Sequence, residues 1–116
     1  MKNTVKVLLV ATGLALATAS HAATDAYKDY VCGVAGEFSA VVKEGHLVGM
    51  GYEPFMEITR NSETISSENM RNFYELVIVT AYAGDSFDSK EGLTIKEKAG
   101  MFGSMVRKAC LDLGVY

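Results

Sequence analysis

The chain reads as an all-α protein: a small bundle of three long helices and one short helix, stapled by one disulfide and preceded by a signal peptide. Three observations predict this. Beyond residue 23, apolar residues recur mostly at three- and four-residue steps. Thr or Ser stands before the long periodic runs and Gly after them, the residue types that cap helices. The only two cysteines, Cys32 and Cys110, both follow an N-terminal segment laid out for export, which carries thiols to an oxidising compartment.

That segment starts with Lys2 and Lys6 and continues as an apolar run over residues 7–19, interrupted by Thr12 and Gly13. Ser20 and Ala22 are small residues placed three and one positions before a cut after Ala22, and a cut after Ala23 fits nearly as well. The apolar run is shorter than the ~20 residues of a membrane-spanning helix, so no transmembrane anchor is expected after processing. No lipobox precedes Cys32, which follows Asp29, Tyr30 and Val31, so a lipoprotein is not expected. The predicted organisation is a signal peptide over 1–22 and a single helical domain over 23–116, located in the periplasm or secreted.

A domain of about 94 residues buries roughly two-thirds of its unfolded surface, enough for a modest core. A Cys32–Cys110 disulfide is the one intramolecular pairing open to it. It would close a loop of about 78 residues, worth roughly 4 kcal/mol in the chain-entropy account. Losing Lys2 and Lys6 from the 11 basic residues leaves nine against 14 acidic ones, a net charge of −5. With no basic cluster, nucleic acid is not an expected partner.

The first helix is expected to start at Thr24 or Asp25 as N-cap and to end at Gly45. Tyr27, Tyr30, Val31, Val34, Phe38, Val41 and Val42 form one bulky stripe, read as the core face. Cys32, Gly36 and Ser39, flanked by Ala35, fall on a second face of small residues suited to close approach by the last helix. Gly33 and Gly36 each cost about 1 kcal/mol of helix propensity, for which packing is a reason.

Residues 45–54 hold three glycines and Pro54 and read as a loop. Pro54 then opens a short helix over 54–60. The third helix, the second of the long ones, has Ser66 or Ser67 as cap, a stripe of Met70, Phe73, Tyr74, Val77 and Ala81, and a stop at Gly84. Its second half, 76–82, is apolar almost all round and is expected to be central and buried; its β-branched residues leave a strand as the rival reading. Residues 85–92 read as a solvated acidic loop. Thr94 and Glu97 make a capping box for the last helix, whose stripe is Ile95, Ala99, Phe102, Val106, Ala109, Cys110 and Leu113 and whose stop is Gly114.

No catalytic set is legible. His46 with Glu53 and Glu57 falls short of a zinc ligand set, and nothing pairs His46 with a nucleophile. Gly45, Gly49 and Gly51 lack the Lys and Ser/Thr of a phosphate loop. Asp85, Asp88 and Glu91 fail calcium-loop spacing, since Phe87, Ser89 and Lys96 occupy the other ligand positions. No cofactor or metal is expected. Of the methionines, Met70 has core spacing, whereas Met50 beside Leu47, Val48 and Tyr52 suits an exposed apolar contact.

The early Cys32, the Lys43, Glu44, Gly45 ending, the Ala81, Tyr82 pair and the final Arg107, Lys108, Ala109, Cys110 run are similar to a loose group of small exported two-cysteine helical proteins of Gram-negative bacteria. That resemblance spans nearly the whole mature chain and implies a fold rather than an activity. Residues 27–30 and 110–113 also resemble periplasmic immunity proteins of secreted amidase toxins. Periplasmic acid-stress chaperones share the size and single disulfide, but their cysteines lie much closer together.

The leading functional expectation is therefore a non-enzymatic module that binds a protein partner of unknown identity. Its expected contacts are Leu47, Val48, Met50 and Tyr52, or Asp85, Asp88 and Glu91. Alternatives are an immunity or inhibitor protein against a secreted toxin or hydrolase, and a carrier of a small apolar ligand held between the first and third helices. An enzyme using Glu53, Glu57 or His46 is disfavoured.

Overall fold

In the computed structural model, which describes residues 24–65 and 67–116, Thr24 caps α1 (Asp25–Leu47) by accepting a hydrogen bond from the Tyr27 N–H. The predicted signal peptide lies outside the described residues. Pro54 sits in the first turn of the short α2 (Glu53–Asn61). Ser67 caps α3 (Glu68–Ala83) through the Met70 N–H. The Thr94–Glu97 capping box opens α4 (Ile95–Leu113), and Gly114 closes it in the left-handed conformation. All elements among the described residues are helical, so the strand alternative for 76–82 is removed.

Two contacts give the topology. Cys32 near the start of α1 is bonded to Cys110 near the end of α4, with Cα atoms 5.5 Å apart. Lys43 near the end of α1 lies over the ring of Phe102, earlier in α4. The two helices are therefore antiparallel. α3 runs the same way as α1, because Phe38 stacks on Tyr74 while Lys43 reaches the Ala81 carbonyl. The short α2 makes that direction possible by turning the chain back between them. The core joins Cys32, Ala35 and Val42 of α1 to Phe73, Tyr74, Val77, Ile78 and Ala81 of α3 and to Phe102, Val106 and Cys110 of α4.

The small face of α1 meets α4, as its composition led one to expect. Gly36 and Gly103 are the point of closest approach. A Cβ on Gly103 would fall 2.5 Å from the Gly36 carbonyl oxygen, and one on Gly36 would fall 2.8 Å from that of Gly103. Backbones this close leave no room for any side chain at either position.

That contact overturns the expected core face of α1. Disulfide and glycine contact together fix the rotation of the helix about its axis. Cys32, Ala35, Gly36, Ser39, Val42 and Lys43 turn inward, and Tyr27, Tyr30, Val34 and Val41 are exposed, Tyr30 by 71%. Of the bulky stripe, Val31 and Phe38 pack against the core only in part, and Val42 is fully buried.

Three other expectations are corrected. α1 does not stop at Gly45 but runs to Leu47. Gly49, at φ +90°, ends it by donating to the His46 carbonyl while the Met50 N–H bonds that of Gly45, a Schellman arrangement. Gly45 is buried inside the helix, where the Phe55 ring lies 2.8 Å from the position of a Cβ. The second half of α3 is not enclosed on all sides: Leu76 and Val79 are 58% and 57% exposed, because the helix packs chiefly on α1 and α2 and nothing described covers its far face. The stripe of α4 is buried at its centre, but Ile95 and Leu113 at its ends are exposed.

Candidate functional site

The exposed bulky stripe of α1 forms one wall of a groove of about 450 Å³. Tyr27, Tyr30, Val31, Val34 and Phe38 descend that wall at helical spacing. Ile58 and Thr59 of α2 face it, Thr64 and Ile65 close one side, and Met70 and Tyr74 of α3 form the base. The volume lies in the range of small-molecule sites, and the chemistry fits as well: apolar and aromatic walls with few polar groups. Among the described residues no Asp, Glu, Lys, Arg or His lines it.

Two local devices hold the wall opposite α1. Pro54 starts α2 at a fixed angle, and Phe55 and Met56 anchor it in the core. Arg71 of α3 then gathers the chain beyond α2. Its guanidinium donates to the carbonyls of Thr59 and Arg60 near the end of that helix and of Ser62 and Ile65 beyond it, the last two at 3.1 and 3.2 Å. These carbonyls have no helical partner of their own, and a planar five-donor cation can satisfy several at once. Arg71 was not singled out in the sequence; an Arg four residues after a Ser cap carries no periodic signal.

Polar chemistry inside the groove is limited to hydroxyls. Thr59 is fully buried, and its Oγ1 has no hydrogen-bond partner among the described residues. The Tyr74 phenol is pushed above its ordinary value, first by burial and then by the neighbouring Tyr30.

A second cluster lies at the other end of α1. Lys43 is fully buried, yet its ammonium meets Asp88 Oδ1 at 2.8 Å, Asp85 Oδ2 at 3.2 Å and the Ala81 carbonyl at 2.8 Å. The Asp85 contact is an ion pair without hydrogen-bond alignment. Lys98 Nζ donates to the Asp88 carbonyl, and His46 Nε2 lies 3.3 Å from Asp88 Oδ2. The loop expected to be solvated is thus drawn onto the bundle by three side chains. Burial alone would raise the Asp88 carboxyl. The hydrogen bond and charge of Lys43 outweigh it, helped by the Asp85 backbone and the charge of His46, and hold it below 3.8. Lys43 was legible in principle: residues 32, 36, 39 and 43 share one helical face, and a lysine there needs an acid partner.

The sequence-selected contact residues separate accordingly. Asp85 and Asp88 are mostly occupied by Lys43, whereas Glu91 is exposed. Val48, Met50 and Tyr52 are exposed and Leu47 is half-buried. Their loop is tied down, because the Tyr82 hydroxyl donates to the Met50 carbonyl at 2.8 Å and the Tyr82 ring packs edge-on to His46 and Tyr52. His46 is therefore a packed residue in the last turn of α1, not a free loop histidine. It does not converge with Glu53 and Glu57, both of which are exposed. Among the described residues no group of three or more His, Cys, Asp or Glu is placed to hold a metal ion, and no helix is long and apolar enough to cross a membrane. In comparisons with protein-family models, curated proteins and solved structures, nothing matches this chain.

Proposed function

We propose that this is an exported, non-enzymatic binding protein that takes an apolar molecule into the groove between α1, α2 and α3. The observation that carries the reading is the rotation of α1. It spends the small face of the helix on α4 and leaves Tyr27, Tyr30 and Val34 exposed beside Phe38. A contiguous apolar surface of this kind marks an interaction site rather than ordinary surface. The groove lies between α1 and α3, the first two long helices, where a carried ligand would sit. Export rests on the layout of residues 1–22 and agrees with a bonded cysteine pair.

Pyrene, a hydrocarbon with no polar group, tests this. Its fluorescence should report saturable binding to the oxidised mature protein, lost in Ile58→Glu and Val34→Glu, both at exposed wall positions. Absence of pyrene binding, or binding unchanged in both variants, would remove the groove from consideration.

A second reading keeps the protein partner. Val48, Met50 and Tyr52 form an exposed apolar patch on a loop held by Tyr82. Capture of one protein from a periplasmic extract, abolished by Met50→Glu, would support it; capture indifferent to that change would not.

A further inference from the structure

The groove combines two features that go beyond a general affinity for apolar molecules. Among the described residues its lining is uncharged, and it holds a buried hydroxyl without a hydrogen-bond partner. Building on the proposed binding role of the groove, we infer that its ligand is a neutral aromatic molecule carrying a hydroxyl or carbonyl oxygen, which bonds to Thr59.

Charge comes first. An anionic head entering this groove would lose water and meet no Lys, Arg or His. It would also approach a chain whose residues beyond 23 carry a net −5. A cationic head would find no carboxylate in the lining. A neutral ligand avoids both costs. Fatty acids and phospholipids are thereby disfavoured, although their chains are apolar.

Shape follows. Four of the wall and base residues, Tyr27, Tyr30, Phe38 and Tyr74, present flat rings, and Phe38 and Tyr74 already stack with centroids 5.1 Å apart. Rings of this kind favour a planar aromatic guest over a flexible chain through offset-stacked and edge-to-face contacts.

The polar handle is Thr59. A buried hydroxyl without a partner is uncommon, because losing its water is not offset. Thr59 lines the groove and has two χ1 wells open to it in a helix, so Oγ1 can meet a guest that displaces the side chains over it. A ligand oxygen beside it would then form a bond in a setting shielded from water, where hydroxyl pairing discriminates strongly against a guest that lacks it.

Two matched pairs of probes test this. N-phenyl-1-naphthylamine and 8-anilino-1-naphthalenesulfonate share a ring skeleton and differ by the sulfonate. The neutral probe should bind at least about ten-fold more tightly. Likewise 2-naphthol should bind about three- to ten-fold more tightly than naphthalene, and Thr59→Val should erase that advantage while leaving naphthalene affinity unchanged. Equal affinity for the two anilinonaphthalenes would overturn the charge argument without needing any variant. A 2-naphthol advantage that survives in Thr59→Val would overturn the role of Thr59. In either case retained pyrene binding leaves the groove a binding site and removes only its selectivity. If pyrene fails as well, both readings fall.

Discussion

The Lys43 ammonium, at the end of α1, lies 2.8 Å from the Asp88 carboxylate across 45 residues of sequence. A lysine this deep is paired with two carboxylates, and the loop carrying Asp85 and Asp88 is held in turn by the lysine. Lys43→Met should cost about 3 kcal/mol, the lower end for breaking a buried pair, since both carboxylates keep some water. Adding Asp85→Asn and Asp88→Asn should restore at least part of that loss, because the like charges are removed together. Urea midpoints of the three proteins would show it; a triple variant no more stable than Lys43→Met would mean that packing, not charge, is the larger contribution.

The same pair makes the protein acid-sensitive. The native Asp88 carboxyl lies below the ordinary 3.8, so the unfolded chain binds that proton first as the pH falls. Its contribution is complete above the unfolded value and is lost as the pH drops through the lowered native one. Asp88→Asn should therefore flatten the decline of the urea midpoint between about pH 5 and pH 2. An unchanged slope would place the acid sensitivity elsewhere.

The glycines of α4 should respond oppositely to the same substitution. A Cβ on Gly100 meets nothing within 4 Å, so Gly100→Ala should stabilise by about 1 kcal/mol through helix propensity. On Gly103 it meets the backbone of α1 at 2.5 Å, and Gly103→Ala should destabilise by about 1–3 kcal/mol despite the same propensity gain. Thermal melts of the two variants should move in opposite directions.

The disulfide spans 78 residues of sequence and closes nearly all of the described chain into one loop. Cys110→Ser should lose about 2–5 kcal/mol and lower the thermal midpoint clearly under non-reducing conditions. A midpoint that stays put, or a thiol assay finding two reactive cysteines in the parent protein, would contradict the clamp.

Thr59→Val should raise stability while lowering affinity for oxygen-bearing guests. Removing an unpartnered buried hydroxyl relieves a desolvation penalty of about 1–3 kcal/mol, and valine keeps the shape. A lower thermal midpoint for the variant would show that the hydroxyl is satisfied in solution.

Much of the fold was legible from local chemistry. Thr24, Ser67 and the Thr94–Glu97 pair cap the helices on which they stand, because a side-chain oxygen meets amides only two or three residues away. Gly114 stops α4 for a similar local reason. The expectation of export and the presence of only two cysteines pointed to the Cys32–Cys110 bond. Little of the candidate site was legible. Tyr30 and Val34 were read as core because periodicity identifies a face but not what covers it.

By itself, then, the sequence determined where each helix begins to within a residue, that the chain folds as helices, and which cysteines join. Tertiary structure decided which way α1 turns about its axis. Both of its faces are packable, and the choice falls to the one that lets two backbones touch at Gly36 and Gly103, a contact between residues 67 positions apart. That choice put Lys43 in the core, drew Asp85 and Asp88 inward, and turned the aromatic stripe into the wall of a groove.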